Sequence, residues 1–163
     1  MQINVSEIIL SSIKSTVYPF MPYILGFALV LIVISIFQYI KLAKSGIFEV
    51  DRMSGEEFEL RLKILFEKLG YRVKHVGNAK GDYGVDLVIE KGGVKTAVQA
   101  KCYQKWHVGE DAVREVLAGR SVYNCSHGWV VTNSQFTNMA KRLATSNGIK
   151  LIDRWELIKL LKD

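Results

Sequence analysis

The sequence predicts an α/β domain, a mixed sheet flanked by helices, preceded by one transmembrane helix. Three observations carry this expectation. From Ser15 to Ile40 no residue is charged, and Phe20 to Ile40 is almost wholly apolar. Beyond that segment, stretches of alternating apolar residues are interleaved with stretches whose apolar residues recur every three or four positions, the two periods that distinguish strand from helix. The resulting order is helix, three strands, helix, strand, helix, strand, helix. That order is an α/β sandwich with a mixed sheet.

The apolar segment comes first. The 21 residues from Phe20 to Ile40 cover roughly 31 Å at helical rise, against a bilayer core of about 30 Å. The segment has no polar face, which argues against a soluble amphipathic helix. It is too long for a signal-peptide core, and no A-x-A-like cleavage site follows it. Pro19 and Pro22 stand at its start, where they leave the helix interior intact. The reading is therefore a juxtamembrane segment over 1–18, a transmembrane helix over 19–41, a linker over 42–53 and a domain over 54–163. Lys41 and Lys44 follow the span closely, with Arg52 further on, whereas only Glu7 and Lys14 precede it. The positive-inside tendency then gives a single-pass protein with its C-terminal domain in the cytoplasm.

The domain begins at Ser54-Gly55-Glu56-Glu57, which has the spacing of a capping box. The stripe Phe58, Leu62, Leu65, Phe66 and Leu69 continues as a helix that Gly70 ends. Tyr71 to Val76 alternates as a strand. Val85 to Glu90 and Val94 to Lys101 form the next two, joined at Lys91-Gly92-Gly93 as a hairpin. Ala112, Val113, Val116, Leu117 and Val122 mark a second helix. Gly128 to Thr132 reads as a short buried strand, about Gln135 to Ser146 as a third helix, and Gly148 to Ile152 as the last strand. Asp153 then caps a final helix through Leu161. Trp129 and Trp155 read as structural.

The net charge is +6, and only Lys14, Lys41, Lys44 and Glu7 are charged before Ser45, so the domain itself is net basic. That suits a polyanionic partner without requiring one. Two cysteines, Cys102 and Cys125, make no disulfide framework and fit a reducing compartment. Cys125-Ser126-His127 lacks a second ligand pair at zinc spacing.

Chemistry concentrates on the second and third strands. Val85, Leu87 and Ile89 share one side and Asp86 takes the other, while Gln99 and Lys101 oppose Val98 and Ala100. Residues two apart on a strand project on one side about 6.5–7 Å apart. Pairing the two strands therefore gathers Asp86, Gln99 and Lys101 at one edge. Glu59 lies on the apolar side of the first helix, where a carboxylate needs a partner. Magnesium is a hard ion that takes oxygen ligands. Asp86, Glu59, the Gln99 side-chain oxygen and the Ala100 carbonyl could hold it, with manganese as a substitute. A metal so held polarises a phosphate and activates water. Lys101 would orient that water or stabilise charge in the transition state. Set against this, Q-x-K is a short pattern that occurs in many strands by chance.

From Met53 onward the chain resembles the Mrr-type restriction endonuclease family of the PD-(D/E)xK nuclease superfamily. The resemblance runs through Glu57-Phe58-Glu59, Leu69-Gly70-Tyr71, Gly81-Asp82-Tyr83-Gly84-Val85-Asp86-Leu87 and Val98-Gln99-Ala100-Lys101. It continues through Val130-Val131-Thr132-Asn133, Phe136, Ala140 and Gly148 to Asp153. It implies a restriction-endonuclease-like fold and DNA cleavage that leaves a 5′-phosphate. The family's acid maps to Asp86, its second position to Gln99, its lysine to Lys101 and its helical glutamate to Glu59. Asp82 belongs to the strand-leading pattern and would either support the site from behind or simply shape the turn before Gly84. Gln99 stands where the wider superfamily has an acid, which removes one negative charge. An apolar segment precedes the domain where classical members carry a winged helix, so recognition of methylated sites is not implied.

Lys74, Lys80, Lys101, Lys105, Arg114 and Arg120 are candidates for phosphate contacts, which give salt-dependent affinity without sequence information. Lys80 and Lys105 are the strongest, being nearest the motif. Tyr103, Trp106 and His107 could pack on DNA, and His107 is a secondary candidate for a general base. One site nicks, whereas two sites in a homodimer could cut both strands; the apolar segment lacks a strong small-xxx-small pattern for association. Two other classes fit the sequence, a membrane-tethered DNA-binding module without catalysis and a protein adaptor. The first has no need of Asp86, Gln99 and Lys101 together, and the second would show no salt-dependent DNA affinity.

Overall fold

The computed structural model describes residues 18–77, 83–104 and 107–162. The chain divides into two compact units, with the boundary between Leu42 and Ala43. In the first, a 3₁₀ turn at Tyr18–Phe20 leads into helix α1, Met21–Ala43. Within the 26 residues Tyr18–Ala43 an 18-residue stretch has a mean hydropathy of 2.5, and the helix is long and apolar enough to cross a membrane. Its one hydroxyl near the middle, Ser35, donates to the Leu31 carbonyl at 2.9 Å, so that polar group is satisfied within the helix.

The second unit opens on a short helix α2, Ile47–Val50, in the stretch expected to be a connector. The Glu49 carboxylate accepts from the Gly46 amide at 3.0 Å, closing the turn, and Val50 is fully buried. Helix α3 spans Gly55–Lys68. Its start is the expected capping box: Ser54 Oγ accepts from the Glu57 amide at 3.2 Å, and the Glu57 carboxylate accepts from the Ser54 amide at 2.8 Å.

Five strands follow in a single sheet of order β1-β2-β3-β4-β5: β1 Arg72–His75, β2 Leu87–Lys91, β3 Val94–Lys101, β4 His127–Thr132 and β5 Ile149–Ile152. The first three pair antiparallel and the last two join in parallel. The β2–β3 hairpin closes through Gly92 (φ 60°) and Gly93 (φ 79°), two left-handed residues as a type I′ turn requires. The parallel pairings are made through helices α4, Glu110–Val122, and α5, Asn138–Asn147; α6, Arg154–Lys162, ends the described chain. Thr137 Oγ1 accepts from the Ala140 amide at 3.1 Å, so α5 starts two to three residues later than its apolar pattern suggested. Asp153 Oδ1 accepts from the Trp155 and Glu156 amides, the expected cap of α6.

Two cores sandwich the sheet. On one face Ala97, Val113, Val116, Val130 and Ala140 pack together, and on the other Phe58, Leu62, Leu65, Phe66, Leu87, Ile89, Val98, Val131 and Leu157 do so. Trp129 joins the second core through Phe66 and Tyr71, with ring centroids 5.8–6.0 Å apart, in the tilted arrangements that aromatic quadrupoles favour. Two expectations need correction. Trp155 is 62% exposed and is no part of a core. Val85 does not share a face with Leu87 and Ile89 but packs in the opposite core. It precedes β2 and follows a turn in which Tyr83 and Gly84 both have positive φ, so strand alternation does not extend back to it.

Candidate active site

Register places Leu87 opposite Val98, and the Asp86 amide donates to the Val98 carbonyl at 2.9 Å. Asp86 therefore sits beside Gln99 and Ala100. One carboxylate oxygen, Oδ2, accepts from Gln99 Nε2 at 2.7 Å and from the Ala100 amide at 2.6 Å. These bonds fix the Gln99 amide orientation, because a carboxylate oxygen can only accept. Gln99 Oε1 is thereby turned away from Asp86. It is buried with no hydrogen-bond partner among the described residues, in a residue 4% exposed. An orphaned buried acceptor costs about 1–3 kcal/mol.

Glu59 arrives from α3. Its Oε2 lies 2.7 Å from His75 Nε2, so the partner its burial calls for includes a histidine that the sequence reading did not assign. The end of β1 explains how Glu59 and Asp86 meet. The amides of Val76 and Gly77 both donate to the Asp86 carbonyl, at 2.8 and 3.0 Å. Two residues opposing one is a β-bulge, a feature that re-aims a strand beside a site. At Gly77 the missing side chain leaves a gap: the point a Cβ would occupy is 2.9 Å from Glu59 Oε2 and 3.4 Å from Asp86 Oδ1.

Lys101 shares the side of β3 that α4 covers, where Nζ lies 2.7 Å from Glu115 Oε2 on α4, an ion pair without hydrogen-bond geometry. Glu115 is a second residue the sequence reading did not single out. Its helix approaches the Asp86 loop closely. A Cβ on Gly84, where φ is already +69°, would run into Glu115 Cβ and Cγ, and one on Gly119 would meet Val85 and the Tyr83 carbonyl.

These residues suit a divalent cation. Two carboxylates face one gap, an amide oxygen is buried without a donor among the described residues, and these atoms are hard oxygens of the kind magnesium prefers. No three His, Cys, Asp or Glu side chains converge among the described residues, so the set depends on Gln99 and the Ala100 carbonyl as well as on Asp86 and Glu59. Cys102, next to Lys101, offers no nucleophile: burial pushes its thiol up to about 11, leaving almost no thiolate at neutral pH.

Past the end of β3 lies a cleft of about 440 Å³ lined by Asp51, Tyr103, His107, Asn133 and Arg154 among others. Its floor is a lock between α2, β4 and α6. Arg154 donates to both Asp51 carboxylate oxygens, at 2.5 and 2.7 Å, and Asn133 donates to Asp51 at 3.1 Å. The Arg154 hydrogen bonds hold the Asp51 carboxyl below its usual value. Tyr103 and His107, candidates for DNA packing, line the cleft wall. Lys74 and Arg114 are exposed. Lys80, Asp82, Lys105 and Trp106 lie outside the described residues.

The sequence from 50 to 161 matches the Mrr catalytic domain, a restriction endonuclease family. The chain belongs to this family. Solved structures agree on the fold. The DNA modification-dependent restriction endonuclease AspBHI superposes with a TM-score of 0.57 at 23% identity, over 71% of this chain and 34% of AspBHI. A protein of unknown function, AF1548, superposes with a TM-score of 0.52 at 23% identity, over 61% of this chain and 60% of its own. The chain thus spans about a third of AspBHI. No curated protein matches the chain in sequence. The second unit is a restriction-endonuclease-like nuclease domain of the Mrr family, its mixed five-stranded sheet flanked by helices as the alternation and helical periods indicated.

Proposed function

We propose that this Mrr-family chain is a membrane-anchored, metal-dependent DNA endonuclease whose catalytic unit faces the cytoplasm, acting in restriction of foreign DNA or in DNA turnover. The observation that carries the reading is the buried Gln99 Oε1 beside Asp86, which has no hydrogen-bond donor among the described residues, at the strand ends where Glu59 also faces the Gly77 gap. Buried acceptors in a packed domain are ordinarily paired, and an ion at this point would supply the partner.

Asp86, Glu59, Gln99 Oε1 and the Ala100 carbonyl would hold the ion, magnesium with manganese as a substitute. When bound, it supplies Lewis-acid polarisation of the scissile phosphate and lowers the pKa of the attacking water. The Gln99 and Ala100 donors keep one Asp86 oxygen engaged, so the carboxylate stays in one orientation. His75 does the same for Glu59. Lys101 donates to the attacking water or to a non-bridging phosphate oxygen, where negative charge grows in the transition state. Water attacks phosphorus and gives up its proton to solvent, and the bond to the 3′ oxygen breaks, that oxygen taking a proton from solvent to leave a 3′-hydroxyl and a 5′-phosphate. Basic residues, Lys80 and Lys105 foremost, would bind neighbouring phosphates, and Asp82 would support Asp86. Helix α1, with Lys41 in its last turn and Lys44 just beyond it, has the length and flanking charge of a single span.

The full chain in lipid nanodiscs, incubated with plasmid DNA, should nick or linearise it with magnesium and not with EDTA. A folded chain that binds DNA yet leaves it intact at every magnesium and manganese concentration removes the enzyme reading. Protease treatment of inside-out vesicles should digest the second unit; protection there removes the cytoplasmic orientation.

A further inference from the structure

The Lys101–Glu115 pair asks for an explanation of its own. An ion pair 23% and 40% exposed would ordinarily contribute little to stability. This one is built with unusual constraint. Helix α4 can bring Glu115 to Lys101 only because Gly84 carries no side chain under the Glu115 stem and Gly119, one turn on, lets the helix rest on Tyr83 and Val85. Gly84 is two residues from Asp86, so the glycine that admits Glu115 belongs to the loop that delivers the acid. The electrostatics point the same way. With Gln99 in place of an acid, an ammonium at Lys101 opposes a cation held by only two carboxylates. A carboxylate 2.7 Å from that ammonium cancels most of its field at longer range.

We propose that Glu115 is a positioning residue for the nuclease reaction: its carboxylate holds Lys101 Nζ in place on α4's side of the sheet and neutralises it, so that the lysine does not repel the divalent cation. This rests on the nuclease reading above. The Lys101 amine needs a fixed place to meet a phosphate oxygen, since small misplacements of a catalytic group have large effects on rate. Glu115 acts through Lys101 and makes no claim on the substrate itself.

The test uses the full chain in nanodiscs, with Glu115→Gln, Glu115→Ala and Glu115→Asp. Three quantities are read: kcat and KM for plasmid cleavage, Mn²⁺ affinity by electron paramagnetic resonance, and thermal unfolding. Loss of the carboxylate should lower kcat by about 10- to 100-fold with KM for DNA changed less than about threefold, and weaken Mn²⁺ binding by about 3- to 10-fold. Unfolding should be unchanged, and Glu115→Asp should recover part of both losses. Unaltered kcat and Mn²⁺ affinity would make the pair an ordinary surface contact and overturn the proposal. A rise in kcat would overturn it too, by showing that Glu115 restrains Lys101 from its task. A wild-type chain that neither cleaves DNA nor binds Mn²⁺ would remove the nuclease reading itself, an outcome distinguishable from either.

Discussion

Replacing Gly77 with alanine should separate metal binding from folding. The new methyl would stand 2.9 Å from Glu59 Oε2 and 3.4 Å from Asp86 Oδ1. The first contact is closer than carbon and oxygen tolerate, so Glu59 must withdraw and strain its 2.7 Å bond to His75. An oxygen-ligated magnesium sits about 2.0–2.1 Å from its ligands, so the methyl takes the volume the ion would use. Gly77 is not among the glycines with positive φ, and alanine there reduces the entropy of the unfolded chain, worth about 0.4–1 kcal/mol in favour of folding. That gain roughly offsets the displacement of one flexible carboxylate. We expect thermal unfolding within about 4 °C of wild type. Mn²⁺ affinity, read by electron paramagnetic resonance on the detergent-solubilised chain, should fall by about 10- to 100-fold. A folded Gly77→Ala chain that binds Mn²⁺ as tightly as wild type would refute the placement of the cation between these two carboxylates.

Other outcomes follow from the same geometry. His75→Ala should weaken Mn²⁺ binding by about 10-fold or more and His75→Gln, which keeps a donor, by less; equal behaviour of both with wild type would show that Glu59 needs no anchor. Asp51, held below its usual value by the Arg154 hydrogen bonds, contributes stability that is fully present above the unfolded carboxyl pKa of about 3.9 and is lost as pH falls through the lower folded value. Denaturant titrations should therefore show wild-type stability dropping more steeply than that of Asp51→Asn below about pH 4, and parallel curves would contradict this. Phe66→Ala removes the ring that meets both Tyr71 and Trp129 and should cost about 3–5 kcal/mol, read as a shift in the urea midpoint; a loss under 1 kcal/mol would show that this aromatic group is not a cohesive core.

The fold was legible because its signals were local. The Ser54 capping box, the Gly92-Gly93 turn and the alternation of β3 each follow from short-range chemistry, and β3 spans the residues expected. Asp86 and Gln99 meet as the hairpin register implies, since pairing two strands of known phase leaves little freedom. What sequence could not show depended on long-range approach. The bulge at Val76 and Gly77 is visible only once both amides are seen on one carbonyl. Glu115 flanks the buried stripe Ala112, Val116 and Gly119, but nothing local says that helix meets Lys101. His75 shares the phase of Val73 on β1, a period-two clue that could have placed it opposite Glu59. Val85 was misassigned by extending strand alternation through a turn of positive φ.

The central claim, that the Asp86–Gln99–Lys101 edge with Glu59 is a catalytic centre, is tested most directly by single-turnover cleavage of plasmid DNA. Wild type, Asp86→Ala and Lys101→Ala would be compared as full chains in nanodiscs, each shown to be folded and to bind DNA. Wild type should show magnesium-dependent cleavage that EDTA abolishes and that both substitutions reduce at least a thousandfold, about 4 kcal/mol in the barrier, with DNA affinity little changed. Cleavage that survives either substitution would place the chemistry elsewhere in the chain.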